Sequence, residues 1–188
     1  MVHGVCRHHL HLLCAISCYM MRAMNQEIER KFLVQDTWRN AVQQAGKAYR
    51  QGYLCSAASA LVRVRTIGSA NDGQGVLTIK GSSQGIVRPE YEYSIPWAEA
   101  QTMLHTLCAA VVEKLRYRIV YAGMTWEVDE FAGANQGLVT AEIELEQVEQ
   151  SFARPPWLGR EVSHDSRYTN ARLAQRPFSQ WSADERSS

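Results

Sequence analysis

The chain has 188 residues and a mass of 21.3 kDa, which fits one domain and leaves too little length for two full ones. Hydrophobic residues make up 46% and charged residues 21%, so a sizeable core is available and a disordered chain is excluded. Lys and Arg number 20 against 19 Asp and Glu, a net charge of +1, which argues against a polybasic nucleic-acid binder and against an acidic solvating tail.

In the first stretch, Arg7 precedes an apolar run over residues 10–21 that is interrupted by His11, Ser17 and Cys18. No small-x-small cleavage site follows, so a signal peptide is not expected. The run is also too short and too broken to span a bilayer. Cys6, Cys14 and Cys18 lie beside His3, His8, His9 and His11, but ligands scattered over a short tail lack a fold to hold a metal. With Met20, Met21 and Met24 as later starts, residues 1–24 read as a disordered or mis-started extension. Cys55 and Cys108 complete an odd set of 5 cysteines without a CxxC pair. A disulfide-built secreted scaffold is not expected on that count; the location expected is cytoplasmic.

A regular pattern begins after Met24. Residues 27–34 alternate in the two-residue period of a strand, with Glu27, Glu29 and Lys31 on one face. Asp36 or Thr37 is placed to cap a helix running to about Tyr49. Residues 61–65 set Arg63 and Arg65 opposite Val62 and Val64; residues 76–80 are β-rich and end in Lys80 before Gly81. Residues 90–95 set Glu90 and Glu92 opposite Tyr91 and Tyr93. Pro96 suits a first helical position, and Met103, Leu104, Leu107 and Cys108 recur at helical spacing over residues 97–110.

Residues 114–120 then place Lys114, Arg116 and Arg118 on one side, residues 125–130 align Glu127 with Asp129, and residues 141–148 align Glu142, Glu144 and Glu146. Gly-rich turns at 68–75, 81–85 and 133–137 link strands as hairpin loops. Thr169 or Asn170 caps a short final helix stopped by Pro177. No repeat or linker divides residues 25–178, which form one domain followed by a tail over 179–188.

A charged strand face ordinarily meets water. Here at least 7 strands carry one, and the runs are largely sorted by sign, basic on some strands and acidic on others. An antiparallel sheet of about eight strands that closes into a barrel directs every second residue inward. The fold expected is therefore α+β, mainly antiparallel β: a closed eight-stranded barrel forming a tunnel, with flanking helices. Charges in its lumen cost several kcal/mol each unless they are paired or bind ions. A polyphosphate with a divalent metal needs both signs: Arg and Lys for phosphate oxygens, carboxylates for Mg²⁺ or Mn²⁺.

Glu27-Ile28-Glu29-Arg30-Lys31 resembles the ExExK signature of the CYTH superfamily, the triphosphate tunnel metalloenzymes. In order, Arg63-Val64-Arg65, Thr78-Ile79-Lys80-Gly81, Glu90-Tyr91-Glu92-Tyr93, Glu113-Lys114-Leu115-Arg116-Tyr117, Trp126-Glu127-Val128-Asp129 and Ala141-Glu142-Ile143-Glu144-Leu145 resemble its later segments. Glu161-Val162-Ser163-His164-Asp165 followed by Arg167-Tyr168 is similar to the tail of the short bacterial members, with Ser163-His164 where a Thr commonly precedes the Asp.

The resemblance implies metal-dependent hydrolysis of inorganic triphosphate. An adenylate cyclase or thiamine-triphosphatase outcome on the same fold stays open, as does a non-catalytic polyphosphate-binding module. Lys31, Arg63, Arg65, Lys80, Lys114 and Arg116 are then expected to bind phosphate, with Tyr53 near the substrate. Glu27, Glu29, Asp129, Glu142 and Glu144 are expected to hold Mg²⁺ or Mn²⁺. Glu90 and Glu92 would hold a second metal or orient water, and Lys80 would donate to the leaving group. Arg118 and Glu146 fall at a rim. Nucleic acid and membrane are not expected as partners; a homodimer is admitted but not required.

Overall fold

The computed structural model describes residues 26–57, 59–82 and 86–187, so the expectations for residues 1–24 lie outside the described residues. Among the described residues, the alternation of charged and apolar side chains becomes nine strands: β1 (Gln26–Val34), β2 (Lys47–Ser56), β3 (Ala60–Ile67), β4 (Gln74–Gly81), β5 (Val87–Ile95), β6 (Val111–Tyr121), β7 (Met124–Phe131), β8 (Val139–Glu144) and β9 (Leu158–Glu161). Their order is β5-β4-β3-β2-β6-β7-β8-β1-β9, and β1 also pairs with β5, which closes eight antiparallel strands into a barrel. Strand β9 lies outside the ring, paired with β1 alone at Phe32 and Val34. No described helix is long and apolar enough to cross a membrane.

With the charged rows turned inward, the apolar rows face out and need cover. Trp38, on a 3-10 helix at Asp36–Ala41, and Trp157 join Ile28, Phe32, Trp126, Val128 and Ile143 in the largest apolar cluster. Edge-to-face ring contacts link Phe32 to Trp126 at 5.8 Å and Trp126 to Trp157 at 5.8 Å. On the far wall, helix α1 (Trp97–Thr106) lays Ala100 and Leu104 over Val64. Two glycines permit that approach: a Cβ on Gly75 would sit 2.9 Å from the Ala100 Cβ, and one on Gly52 2.6 Å from the Cys108 Sγ. The hydrophobic core of this protein thus lies mainly outside its barrel.

One end of the lumen is apolar as well. Val112 and Phe131, on the inward rows of β6 and β7, pack with Val162, Tyr168 and Leu173 of the C-terminal segment. Helix α2 (Asn170–Gln175) begins where expected, with the Thr169 side chain accepting from the Arg172 amide. Trp181 joins the same cluster, its ring 5.0 Å from that of Tyr168. The bidentate pair Arg176–Glu185 fastens helix α3 (Ala183–Ser187) behind it. Within the stretch read from the sequence as a tail, Trp181 is therefore packed against the domain, while most of its neighbours are exposed.

The helix expected up to Tyr49 is not formed. Only the 3-10 turn at Asp36–Ala41 is helical, and Lys47–Ser56 is a strand whose pairing with β3 and β6 overrides the local capping signal. The chain reaches it through Gly46, where a Cβ would meet the Tyr117 ring at 2.8 Å. Strand β8 ends at Glu144, short of the expected 148, as Leu145 turns outward to be buried and its amide donates to the Ile28 carbonyl.

Trp181 is 4% exposed, and truncating a buried Trp costs about 3 kcal/mol or more. Trp181→Ala is expected to lower the unfolding free energy by about that amount in urea denaturation. Unchanged stability would show that residues 179–187 are no part of the folded unit.

Candidate active site

Inward-facing side chains from all eight barrel strands line one cavity of about 770 Å³. Cross-strand register decides which charges meet. Lys31 lies opposite Glu142, Glu29 opposite Glu144, Glu127 opposite Glu142, Arg116 opposite Asp129 and Lys80 opposite Glu90. Three ionic groups result.

In the first, Lys80 Nζ lies 2.7 Å from Glu27 Oε2 and 2.8 Å from Glu90 Oε2, and Arg88 Nε donates to Glu27 Oε2 at 3.0 Å. Burial raises the Glu27 pKa, but Lys80 and Arg88 outweigh it and hold this carboxyl at about 2. Glu90 is pushed up by burial and by its neighbour Glu27.

In the second, Arg65 Nη2 donates to Glu92 Oε1 at 2.8 Å and Arg63 Nη2 to Thr78 Oγ1 at 3.2 Å. Thr78 Oγ1 in turn donates to Glu92 Oε1 at 3.0 Å. Burial works against ionisation of Glu92, yet Arg65 and the Thr78 hydroxyl hold its pKa down. Arg63 Nε and Arg65 Nε are buried and have no hydrogen-bond partner among the described residues.

The third group is the most enclosed. Arg116 bonds Asp129 through Nε and Nη2, both at 2.6 Å, and Glu142 through Nη2 at 2.8 Å; it also pairs with Glu127. Lys114 pairs with the same Asp129, which is fully buried. Burial and the adjacent Arg116 charge pull the Lys114 pKa down to about 8. Lys31 Nζ sits 2.7 Å from Glu142 Oε1 and 3.6 Å from Glu29 Oε1. Burial lowers the Lys31 pKa, but Glu142 and Glu29 raise it further and keep the amine charged. Glu142, caught between Lys31 and Arg116, is held well below the carboxylate range despite its burial.

Glu29 is the exception. Burial first, and then the Glu142 charge, raise it to about 7, and Lys31 does not compensate. Glu144, opposite Glu29, is also pushed up, by burial and by Glu27 and Glu127.

The structure brings Glu27, Glu29, Lys31, Tyr53, Arg63, Arg65, Lys80, Glu90, Glu92, Lys114, Arg116, Glu142 and Glu144 to the wall of this cavity. Asp129 is the one residue of the expected set outside the lining; it lies beneath Lys114 and Arg116. Arg118 also lines the cavity, with its side chain 71% exposed, and Glu146 is exposed and outside the lining. The Tyr53 hydroxyl accepts from Gln51 Nε2 at 2.9 Å and is pushed to about 12 by burial. Arg88, Glu127, Tyr49 and Gln51 are lining residues not assigned from the sequence. The two-residue period already places Arg88 in the row of Glu90, and Glu127 in that of Asp129. Ser163, Asp165, Thr169 and Asn170 also line the cavity from the C-terminal segment, where no periodic signal marks them.

Among the described residues, no group of three or more His, Cys, Asp and Glu forms a ready-made metal cage. The donor chemistry still fits a hard divalent cation. Glu27, Glu29, Glu142 and Glu144 offer carboxylate oxygens on adjoining strands, and burial and neighbouring carboxylates raise the pKa of Glu29 and of Glu144, a charge repulsion that a cation would relieve.

A closed antiparallel barrel lined by sorted cations and carboxylates defines a charged-tunnel protein. This chain belongs to the CYTH domain family, whose domain matches residues 25–178. It is 49% identical over 157 residues to an inorganic triphosphatase of Acetivibrio thermocellus, covering 82% of this chain and 97% of that protein. An inorganic triphosphatase of Nitrosomonas europaea is 37% identical over 155 residues, covering 79% and 96%. A solved inorganic triphosphatase structure, 35% identical, superposes with a TM-score of 0.53 over 79% of this chain and 93% of that one.

Because the Glu29 pKa of about 7 exceeds its ordinary value of 4.5, its contribution to stability is full below pH 4.5 and is lost as pH rises through about 7. In the metal-free protein, Glu29→Gln is therefore expected to gain thermal stability over the wild type between pH 4.5 and pH 8. A melting-temperature difference that stays constant across that range would overturn this placement of Glu29.

Proposed function

We propose that this chain hydrolyses inorganic triphosphate inside the tunnel, in a reaction that depends on Mg²⁺ or Mn²⁺. The observation that carries this reading is the pair of buried Nε donors of Arg63 and Arg65, desolvated in a basic wall with no acceptor among the described residues. A buried N–H without an acceptor costs free energy, and a phosphate oxygen is the acceptor this wall suits. The two inorganic triphosphatases at 49% and 37% identity support the same ligand.

Lys31, Arg63, Arg65, Lys114 and Arg116 bind the phosphate chain, exchanging carboxylate partners for phosphoryl oxygens as it enters. Asp129, between Lys114 and Arg116, keeps those two cations in place during that exchange. Bound Mg²⁺ or Mn²⁺ supplies charge neutralisation on the phosphoryl oxygens, and Glu27, Glu29, Glu142 and Glu144 are the residues that would hold it. Glu90, whose carboxyl is more basic than usual, accepts a proton from the attacking water, with Glu92 beside it. The new bond forms between that water oxygen and the terminal phosphorus, and the bond to the departing diphosphate breaks. Lys80 Nζ, fixed between Glu27 and Glu90, donates to the leaving oxygen. Tyr53 flanks the substrate. A cytoplasmic location suits the free thiols of Cys55 and Cys108.

The test is a panel of tripolyphosphate, ATP, thiamine triphosphate and pyrophosphate with Mg²⁺ or Mn²⁺, following phosphate and cyclic AMP. Phosphate release from tripolyphosphate that disappears with chelator is expected; its absence overturns the proposal, and cyclic AMP from ATP would make the chain a cyclase. Arg65→Ala and Glu29→Gln are each expected to lower kcat/KM by about 10²-fold while circular dichroism stays unchanged. Full activity in either variant would mean that the wrong groups have been given the chemistry.

A further inference from the structure

Strand β2 runs between two basic strands, β3 with Arg63 and Arg65 and β6 with Lys114 and Arg116, yet it presents no cation to the lumen. Its inward row is Tyr49, Gln51 and Tyr53, with Gln51 opposite Arg65 and Tyr49 opposite Lys114. The tyrosines differ in what they touch. The Tyr53 hydroxyl accepts from Gln51. The Tyr49 ring instead faces guanidinium groups from both neighbouring strands: Arg116 Cζ lies 5.3 Å and Arg65 Cζ 5.9 Å from its centroid.

Each arginine is already held on another side by carboxylate, Arg65 by Glu92 at 2.8 Å and Arg116 by Asp129 at 2.6 Å. Burial, then the neighbouring Arg63 and Arg116, lower the Arg65 pKa, so these guanidiniums crowd one another. A carboxylate at position 49 would relieve the crowding by consuming N–H donors. An aromatic ring attracts a cation through its π face and leaves the N–H groups free.

We infer that Tyr49 is a positioning residue that steadies Arg65 and Arg116 with its ring and takes none of the N–H donors that the triphosphate chain would use. The inference rests on the triphosphatase reading. It assigns Tyr49 no contact with substrate; the ring acts through two cations on different strands.

The experiment compares Tyr49→Phe, Tyr49→Leu and Tyr49→Met in the full chain, by steady-state hydrolysis of tripolyphosphate and by calorimetric titration of tripolyphosphate alone into metal-free protein. Tyr49→Leu is expected to raise KM about tenfold, weaken binding by a similar factor and change kcat by less than about twofold. Tyr49→Phe is expected to keep wild-type values, since it keeps the ring. Tyr49→Met, also without a ring, is expected to match Tyr49→Leu and serves if the leucine variant does not fold. Equal KM and affinity in wild type and a folded ringless variant overturn the inference alone. A Tyr49→Phe defect as large as that of Tyr49→Leu also overturns it, because the hydroxyl would then carry the effect. No binding or turnover of tripolyphosphate by the wild type overturns the functional reading and this inference with it.

Discussion

Placing ionised side chains inside a closed barrel is the constraint from which the rest of this structure follows. Each such charge loses hydration worth several kcal/mol, and only an opposite charge in good geometry, with hydrogen bonds, offsets the loss. The lumen meets that condition by putting basic and acidic strands in register, so that Lys31 meets Glu142 and Arg116 meets Asp129. The near-neutral total of +1 reflects this pairing. The total includes two opposed sets of charge on one inner wall.

An interior spent on ion pairs contributes little net stability, so the hydrophobic core has to lie elsewhere. This explains why the outer rows of β1, β6, β7 and β8 are covered by Trp38, Phe152 and Trp157, and why α1 lies on β3. It also explains the packed C-terminus. An open tunnel would leave Val112 and Phe131 wet at one end, and Val162, Tyr168, Leu173 and Trp181 cover them. The same segment that supplies this apolar closure brings Ser163, Asp165 and Asn170 to the cavity wall, which ties stability to the shape of the site.

The barrel was legible in the sequence because a charged inner row is conspicuous. Glu27, Glu29 and Lys31, or Lys114 and Arg116, announce both the strand and its orientation. Strand β2 was hidden for the converse reason. Its inward row of Tyr49, Gln51 and Tyr53 is uncharged, Gly52 interrupts it, and Asp36 and Thr37 upstream supply a local helix signal that sheet pairing overrides. Strand β9, only four residues long, carries too little period to be seen. The pairing inside the lumen was not legible either. Alternation says that Asp129 faces inward, whereas cross-strand register and packing decide that it lies beneath Lys114 and Arg116.

A lumen rich in ion pairs would bind a polyanion largely by exchange. A phosphate oxygen that takes a paired arginine or lysine N–H releases a carboxylate, and released carboxylates repel one another in a low-dielectric space. Glu29 shows that cost before any exchange: with Glu142 nearby and Lys31 3.6 Å away, its pKa already stands at about 7. Transferring Lys31 and Arg116 to phosphate would strip Glu142 of both its partners and place a second uncompensated carboxylate beside it. Triphosphate alone would therefore bind here more weakly than triphosphate accompanied by a divalent cation. On the proposed function, the dependence on metal would follow from the arrangement of charges across β1, β6 and β8, with anion and cation each favouring the other's binding.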